Sequence, residues 1–321
     1  MPEAKPETAP QKIIIDTDPG QDDAVALLLA LASPQELEVL GIVSVAGNVG
    51  LAQNSKNALK IVELSGRDDI RVYAGCDRPI RRTPVTAEHV HGQSGLDGPD
   101  LPDPKISLED VHGVDFIIQT LENSPGNEII LCALGPLTNI AMALVRAPHI
   151  APKIKEIVLM GGGCFEGGNI TPTAEFNIYV DPEAADIVMH CGAPITIIPL
   201  DVTHAALATK DRLQSFLNMG NKTGAAIHQM LTFSERFDLE KYQWRGAPLH
   251  DPCVIAYVLA PDMFSGRFIN VEIEVSSELT RGMTVADFWG VTDREPNATF
   301  MRYIDDGHYY TMLVERLATL P

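Results

Sequence analysis

Basic residues are scarce in this chain of 321 amino acids. It contains 24 lysines and arginines against 43 aspartates and glutamates, which gives a formal net charge of −19. Such an excess of negative charge repels a polyphosphate backbone and argues against binding to nucleic acid. One tight basic cluster, formed by Arg78, Arg81 and Arg82, lies in a proline-containing stretch, and we interpret it as part of a solvated loop.

Three further features are absent. The five cysteines contain no Cys-x-x-Cys pair, which indicates free thiols in a reducing compartment. No apolar run approaches the ~20 residues that a membrane-spanning helix needs. The first eleven residues are polar and rich in proline, unlike a signal peptide. We therefore expect a cytoplasmic protein with a flexible tail over residues 1–11 and a single domain over residues 12–321.

Short β-branched runs alternate with longer segments of helical period, which is typical of parallel strands joined by crossover helices. This pattern predicts an α/β fold with an open, mostly parallel central sheet, flanking helices and a small antiparallel C-terminal extension. The strands of the main sheet are predicted over residues 13–16, 37–44, 128–133, 157–160 and 195–200. The extension is predicted from strands over residues 271–275, 283–288 and 299–303. Helices are predicted near residues 22–32, 52–65, 108–122, 137–146, 181–190, 210–218, 224–236, 252–259 and 309–318.

The strongest local motif is an acidic segment between the first predicted strand and the first predicted helix. Four aspartates fall within eight residues, from Asp16 to Asp23. One or two of them could cap the helix, but four carboxylates this close repel one another, and a bound divalent cation relieves that repulsion. An EF-hand does not fit, because Gln21 and Leu27 occupy the positions where its loop needs glycine and glutamate. Metal binding is thus favoured over helix capping alone.

Two more polar segments are candidates for a site. In the first, Asn169, Glu175 and Asn177 could hold several hydroxyl groups, or could simply form a polar loop before the helix at Asp181. In the second, His250 precedes an Asp-Pro pair that fits an ordinary helix start. The acidic segment, Gly47-Asn48, Leu134-Gly135 and the run Gly161–Gly163 each follow a predicted strand. We therefore expect these sequence-distant residues to converge at the carboxyl edge of the sheet.

Together the segments resemble the nucleoside hydrolase family, the inosine-uridine-preferring nucleoside N-ribohydrolases, over nearly the whole chain. The segments that carry the resemblance occur in the same order along the chain as in the family: DTDPGQDDAVALLLA, AGN, HVHGQSGLDGP, LGPLTNIA, VLMGGG, AEFNIYVDPEAA, LDVTH, HDPC and GMTVADF. The segments HVHGQSGLDGP and GAPLHDPC look most like those of the bacterial pyrimidine-preferring ribonucleoside hydrolases. The resemblance implies hydrolysis of the N-glycosidic bond of uridine or cytidine to ribose and free base, as in nucleoside salvage. Purine or broad specificity is the alternative.

The resemblance also implies the roles of individual residues. One Ca²⁺ per subunit would be held by Asp18, Asp23, Asp251 and the main-chain carbonyl of Leu134. Asp18 would accept the proton of the attacking water, and His250 would protonate the leaving base. The residues implied to contact the nucleoside are Asp22, Asn48, His91, Met160, Asn169, Glu175, Phe176, Asn177 and Asp251.

Other expectations are less specific. Tyr242 and Trp244 could stack on the base or pack as an ordinary surface segment, and His89 is a weaker candidate than His91. Similar proteins form tetramers or dimers, so a homo-oligomer is expected, with no nucleic-acid or membrane partner. The rival functions are a metal-dependent phosphohydrolase, disfavoured because the motifs lack basic residues, and a protein that binds a nucleoside without turning it over.

Overall fold

An eight-stranded sheet forms the centre of the protein, which is described by a computed structural model over residues 9–321. Residues 1–8 of the predicted tail lie outside the described residues. The strands are β1 Gln11–Thr17, β2 Leu37–Ser44, β3 Val72–Ala74, β4 Ile129–Ala133, β5 Ile154–Met160, β6 Ile195–Ile198, β7 Leu207–Thr209, β8 Gly246–Pro248, β9 Phe264–Ile269, β10 Val271–Ile273, β11 Thr284–Ala286 and β12 Ala298–Ile304. The main sheet has the order β3-β2-β1-β4-β5-β6-β12-β9.

All neighbours in the main sheet are parallel except β12 and β9, which are antiparallel. Strands β10 and β11 form a separate antiparallel pair near the C-terminus, and β7 and β8 form another. The predicted α/β class with a mostly parallel sheet and a small antiparallel C-terminal sheet is confirmed. One detail was wrong: β12 continues the main sheet in parallel with β6, and the antiparallel edge strand is β9, which was not predicted.

Helices cover both faces of the sheet. They are α1 Gln21–Leu31, α2 Leu51–Ser65, α3 Glu88–His91, α4 Gly113–Asn123, α5 Thr138–Arg146, α6 Phe176–Val180, α7 Pro182–Met189, α8 Leu200–Thr203, α9 Lys210–Asn218, α10 Lys222–Tyr242, α11 Pro252–Leu259 and α12 Asp306–Leu317. One face packs mainly on α1, α2, α10, α11 and α12, and the other on α4, α5 and α7. Across residues 9–321, no helix is long and apolar enough to cross a membrane.

Helix α1 is the most deeply buried helix that bears on the site. Ten of its eleven residues are buried, including the whole run Ala24–Leu31. Because apolar side chains surround this helix on all sides, it packs inside the core and not on its surface. The acidic segment at its N-terminus is therefore held rigidly between the core and the edge of the sheet.

Candidate active site

A cleft opens at the carboxyl ends of the parallel strands. Polar and apolar side chains both line it, as in sites that bind a small organic ligand. Of the residues predicted to form the site, all but Asp23 line the cleft: Asp18, Asp22, Asn48, His91, Leu134, Met160, Asn169, Glu175, Phe176, Asn177, His250 and Asp251. His89, Tyr242 and Trp244 line it too. The expected convergence of sequence-distant segments is thus present.

Three aspartates at this edge could hold a cation together. Oxygen atoms of Asp22, Asp23 and Asp251 lie within 4.8 Å of one another. Burial raises the pKa of each of them, and for Asp251 repulsion from Asp22, Asp23 and Asp18 adds to the effect. Clustered carboxylates of this kind fit a hard divalent cation, which favours their ionised form. Asp22, assigned above to the substrate alone, therefore joins the candidate ligands.

Asp18 lies beside this group with one oxygen available. Its Oδ2 accepts a hydrogen bond from the backbone N–H of Asn48 at 2.7 Å. Its Oδ1 is buried and has no hydrogen-bond partner among residues 9–321. Burial and repulsion from Asp23 raise its pKa well above the ordinary range. A buried polar atom without a partner costs free energy, so this oxygen fits a cation or a polar ligand.

Asp23 is fixed from several sides. Its Oδ1 accepts from Thr17 Oγ1 at 2.5 Å, and its Oδ2 accepts from the backbone N–H of Gly20 at 2.9 Å. The side-chain amide of Asn48 donates to the same Oδ2 at 3.2 Å. Asn48 thus contacts both Asp18 and Asp23, which orients the two carboxylates relative to each other.

The polar loop after β5 is organised by Glu175. This residue is the N-cap of α6, and its carboxylate accepts from the backbone N–H groups of Gly162, Asn177 and Ile178. Burial nevertheless raises the pKa of Glu175 to about 7. The loop therefore caps α6, whereas α7 has its own cap in Asp181.

Two amides complete the loop. The side chain of Asn177 donates to the carbonyls of Leu134, at 2.7 Å, and Met160, at 3.2 Å. Asn169 Oδ1 accepts from the backbone N–H of Phe176 at 2.9 Å. Asn177 thus joins the ends of β4 and β5, and the Leu134 carbonyl, a predicted metal ligand, already lies among polar groups of the cleft.

The two histidines of the site are neutral at pH 7. Burial lowers the pKa of His91 to about 4 and that of His250 to about 3. His91 Nδ1 bonds to Gln21 Oε1 at 2.6 Å, and His250 Nδ1 bonds to Thr203 Oγ1 at 2.7 Å. An unperturbed histidine would be partly protonated near neutrality, so burial changes the form in which either ring meets a ligand.

One wall of the cleft is aromatic. Trp244 stacks on Tyr242 with ring centroids 4.4 Å apart, and the His204 ring meets Trp244 edge-on at 4.8 Å. The sequence interpretation did not select His204, although LDVTH was among the motifs. It also missed several α10 residues that line the cleft, namely Leu231, Ser234, Phe237 and Asp238.

The charge of the cleft is of one sign. No lysine or arginine occurs among the described residues that line it, whereas Asp18, Asp22, Glu175, Asp238 and Asp251 all do. A phosphorylated ligand would meet this negative field without a cationic partner from the lining. The cleft therefore suits a neutral, hydroxyl-rich ligand or one that develops positive charge.

Comparison with known proteins agrees with this chemistry. Residues 13–311 match the family model described as inosine-uridine preferring nucleoside hydrolase. An uncharacterized protein of Schizosaccharomyces pombe is 49% identical over 310 residues, covering 97% of this chain and 100% of the relative. The pyrimidine-specific ribonucleoside hydrolase RihA of Citrobacter koseri is 43% identical over 307 residues, covering 95% of this chain and 97% of that protein.

The fold is matched equally well. The solved structure of the purine-preferring ribonucleoside hydrolase from Gardnerella vaginalis superposes with a TM-score of 0.90 at 33% identity. That match covers 96% of this chain and 98% of the other. Sequence and structure thus agree over nearly the full length, which confirms the resemblance. The chain belongs to the family of inosine-uridine preferring nucleoside hydrolases and is a ribonucleoside hydrolase.

Proposed function

We propose that the protein hydrolyses pyrimidine ribonucleosides to ribose and free base, with Ca²⁺ in the acidic cluster and Asp18 as the base that accepts the proton of water. The observation that carries this proposal is the grouping of Asp18, Asp22, Asp23 and Asp251 in a cleft lined by amides, histidines and aromatic rings. Oxygen ligands of this number suit Ca²⁺, which tolerates flexible geometry, better than a transition metal.

The chain's own residues supply the acid–base chemistry. A bound divalent cation would lower the pKa of the water it holds and would ligate hydroxyl groups of the sugar. Asp18 has the properties of a proton acceptor, because its Oδ1 has no hydrogen-bond partner among residues 9–321 and burial raises its pKa well above the ordinary value of an aspartate. The hydrogen bond from Asn48 to its other oxygen keeps the carboxylate oriented.

The acidic lining also supports charge development in the sugar. Breaking the N-glycosidic bond places positive charge on ribose, and carboxylates fixed around it stabilise that charge. Glu175 and Asn177 are each held in position by hydrogen bonds with the backbone. Because the hydroxyl contacts would contribute much of the binding, we expect 2′-deoxyuridine to be a poor substrate.

Hydrogen bonding distinguishes the two histidines as donors to the leaving base. The Nε2–H groups of Gln21 donate to the backbone carbonyls of His91 and Asp97, which fixes the orientation of the Gln21 amide. Its Oε1 therefore accepts a hydrogen bond from His91 Nδ1–H. Neutral His91 then carries a lone pair on Nε2. The Thr203 hydroxyl can donate to His250 Nδ1, which leaves an N–H on Nε2 of His250. We therefore assign the leaving-group donor to His250.

Pyrimidine preference is supported by the RihA relatives, which are 43–44% identical and named as pyrimidine-specific. The solved neighbour from Gardnerella vaginalis is named as purine-preferring, so a purine preference is the alternative. The lower identity of that neighbour, 33%, favours the pyrimidine proposal.

One assay tests these points together. Reducing-sugar release is measured with uridine, cytidine, inosine, adenosine, 2′-deoxyuridine and uridine 5′-monophosphate, with Ca²⁺ and after chelation. We expect fast release from uridine and cytidine, slow release from the last two substrates, and loss of activity on chelation with recovery in Ca²⁺. Faster turnover of inosine would contradict the pyrimidine assignment. Full activity after exhaustive chelation would contradict the metal.

The cellular location and assembly remain predictions. All five cysteines lie within residues 9–321 and are free thiols, which supports a reducing compartment such as the cytoplasm. Light scattering on the purified protein measures the mass in solution, and a mass of two or four times 34.8 kDa is the expected result. A monomeric mass at micromolar concentration would contradict the expected homo-oligomer.

A further inference from the structure

Helix α8 and the residue after it contact two sides of the cleft. Thr203, at the end of α8, is bonded to His250, and His204 follows it directly. The carboxylate of Asp201, one turn earlier, accepts from the backbone N–H groups of Cys164, at 2.8 Å, and Phe165, at 2.7 Å. This short segment therefore ties the loop after β5 to the wall that holds His250.

The His204 ring lies at the centre of these contacts. Its Nδ1 is 3.3 Å from Glu166 Oε2, in the loop that Asp201 anchors. It makes edge-to-face contacts with Trp244, with centroids 4.8 Å apart, and with His250, with centroids 5.9 Å apart. Only 13% of the His204 side chain is exposed, whereas 41% of the Glu166 side chain is. The ring is thus enclosed by its neighbours on one side and the cleft on the other.

We propose that His204, held by Glu166, is a positioning residue that fixes the rings of Trp244 and His250 in the wall facing the leaving base. This inference rests on the ribonucleoside hydrolysis proposed above. His204 acts through its two neighbours: it stops Trp244 from turning away from Tyr242 and keeps His250 aligned with Thr203. Nothing in the proposed chemistry at ribose uses either His204 or Glu166.

The form of the imidazole agrees with this role. Burial lowers the pKa of His204, opposed by the Glu166 carboxylate, so the ring is neutral at pH 7. A neutral ring that gives its Nδ1–H to Glu166 has one defined tautomer and one preferred orientation. Without Glu166 the ring could rotate, and the aromatic wall would lose its fixed neighbour.

Glu166→Ala is the first test, because the exposed side chain can be removed without disturbing the core. Glu166→Gln keeps an acceptor for Nδ1–H and serves as the rescue variant. The chain offers a matched control in Glu122→Ala, since Glu122 pairs with His149 at 2.7 Å on the surface away from the cleft. All variants are made in a Trp289→Phe background, which leaves Trp244 as the single tryptophan of the two in the chain.

Two substrates separate positioning of the wall from a general structural effect. Uridine needs a proton or hydrogen bond at its leaving base, whereas 4-nitrophenyl riboside loses a stable anion without one. For Glu166→Ala we expect kcat/KM for uridine to fall about tenfold and the value for 4-nitrophenyl riboside to stay within about twofold. Glu166→Gln and Glu122→Ala should match the parent on both substrates.

Fluorescence gives a readout that does not depend on turnover. In Glu166→Ala, Trp244 emission should shift to the red and acrylamide quenching should increase, while Glu166→Gln keeps the parent spectrum. Equal losses on both substrates, or an unchanged Trp244 spectrum in Glu166→Ala, would overturn the proposal. His204→Gln, which keeps a side chain of similar polarity, must reproduce the substrate pattern of Glu166→Ala.

A failure of the proposed ribonucleoside hydrolysis can be distinguished from a failure of the role proposed for His204. In the first case the parent releases no ribose from any nucleoside in the presence of Ca²⁺. The comparison of Trp244 emission between Glu166→Ala, Glu166→Gln and the parent still decides whether Glu166 and His204 hold the aromatic wall.

Discussion

Two glycines determine how closely the backbone approaches Asp18. A Cβ at Gly47 would lie 2.0 Å from Asp18 Oδ2, and one at Gly135 would lie 2.3 Å from Asp18 Oδ1. Both distances are far below van der Waals contact, so any larger residue must displace the carboxylate or its own loop. Asp18, the proposed base and metal ligand, therefore has its space only because Gly47 and Gly135 have no side chain.

Gly47→Ala should lower kcat for uridine about 100-fold, because a displacement of about 1 Å at a reacting group has an effect of that size. Gly50→Ala is the matched control: it lies three residues along the same loop and its Cβ would meet nothing within 4 Å. Its activity should stay within about twofold of the parent. Ribose release measures both variants, and equal kcat values for the two would show that the position of Asp18 is not critical.

The neutral state of His250 makes stability depend on pH. Its pKa is about 3 in the folded protein against an ordinary value of 6.5, so below pH 6.5 the unfolded chain binds a proton that the folded chain does not. The stability that this residue contributes is present above pH 6.5 and is lost as the pH falls toward 3. Between pH 7 and pH 5 the loss should be about 2 kcal/mol.

His250→Gln should remove this part of the pH dependence. Urea unfolding at pH 7, 6 and 5, in buffer with chelator, should give a shallower decline in the free energy of unfolding than the parent shows. His149→Gln is the control, because 62% of the His149 side chain is exposed and it lies outside the cleft lining. If the parent and His250→Gln lose the same free energy between pH 7 and 5, burial of neutral His250 is not the cause.

At the scale of elements, two helices begin with the same Asp-Pro pair but use the aspartate differently. Asp181 caps α7: its carboxylate accepts from the backbone N–H of Ala184 at 3.1 Å and from Thr138 Oγ1 at 2.7 Å. Asp251 precedes α11 and makes no capping hydrogen bond within the described chain. Its carboxylate lies with Asp22 and Asp23 instead. The Asp-Pro pattern taken by itself favours capping for both, because it does not show which way the side chain turns. The resemblance to the family had implied a metal-binding role for Asp251 alone.

Replacing each aspartate by alanine should separate the two roles. Asp181→Ala should lower the free energy of unfolding by about 2 kcal/mol, since the cap and a buried hydrogen bond are both lost. Asp251→Ala should leave it unchanged or slightly raised in chelator, because a repelling buried charge is removed. Urea unfolding provides both values. A loss in Asp251→Ala as large as that in Asp181→Ala would mean that Asp251 stabilises the helix after all.

The elements that sequence analysis missed have weak local signals. Strand β9 has four exposed residues between two buried ones and contains Gly266, so it shows neither alternation nor a continuous apolar run. It forms because β12 offers a partner edge. Helix α10 extends to Tyr242, six residues beyond its predicted end. Helix α4 begins only at Gly113, so residues 108–112, which were predicted as helix, belong to the loop before it. For β9, tertiary pairing decided the outcome.

At the scale of the whole molecule, the part of the site that sequence could predict is the part that follows strands. Asp18, Asn48 and Leu134 come just after β1, β2 and β4, and parallel strands bring their carboxyl ends to one edge. The aromatic wall could be predicted only in part, because Tyr242 and Trp244 were candidates for stacking on the base whereas His204 was not selected. Its members come from α8, α10 and the segment before α11, and only the packing of these elements places His204 beside Trp244.

The net charge of −19 has a local counterpart in the cleft, and this predicts how the protein responds to calcium. Burial raises the pKa of Asp18, Asp22, Asp23 and Asp251, so ionising them together costs free energy unless a cation is bound. A ligand that binds the folded state alone stabilises it by about 2.7 kcal/mol at 100 times its Kd. For a chain of this size that corresponds to a rise in Tm of roughly 5 °C.

Differential scanning fluorimetry of the chelated protein, with and without CaCl₂, measures this shift. NaCl at the same ionic strength is the control, because general screening of surface charge should raise Tm by much less. Asp251→Ala should lose most of the calcium shift, whereas Asp103→Ala should keep it, since 78% of the Asp103 side chain is exposed and it lies outside the cleft lining. An equal shift in NaCl, or an undiminished calcium shift in Asp251→Ala, would place calcium elsewhere and leave the acidic cluster without its proposed ligand.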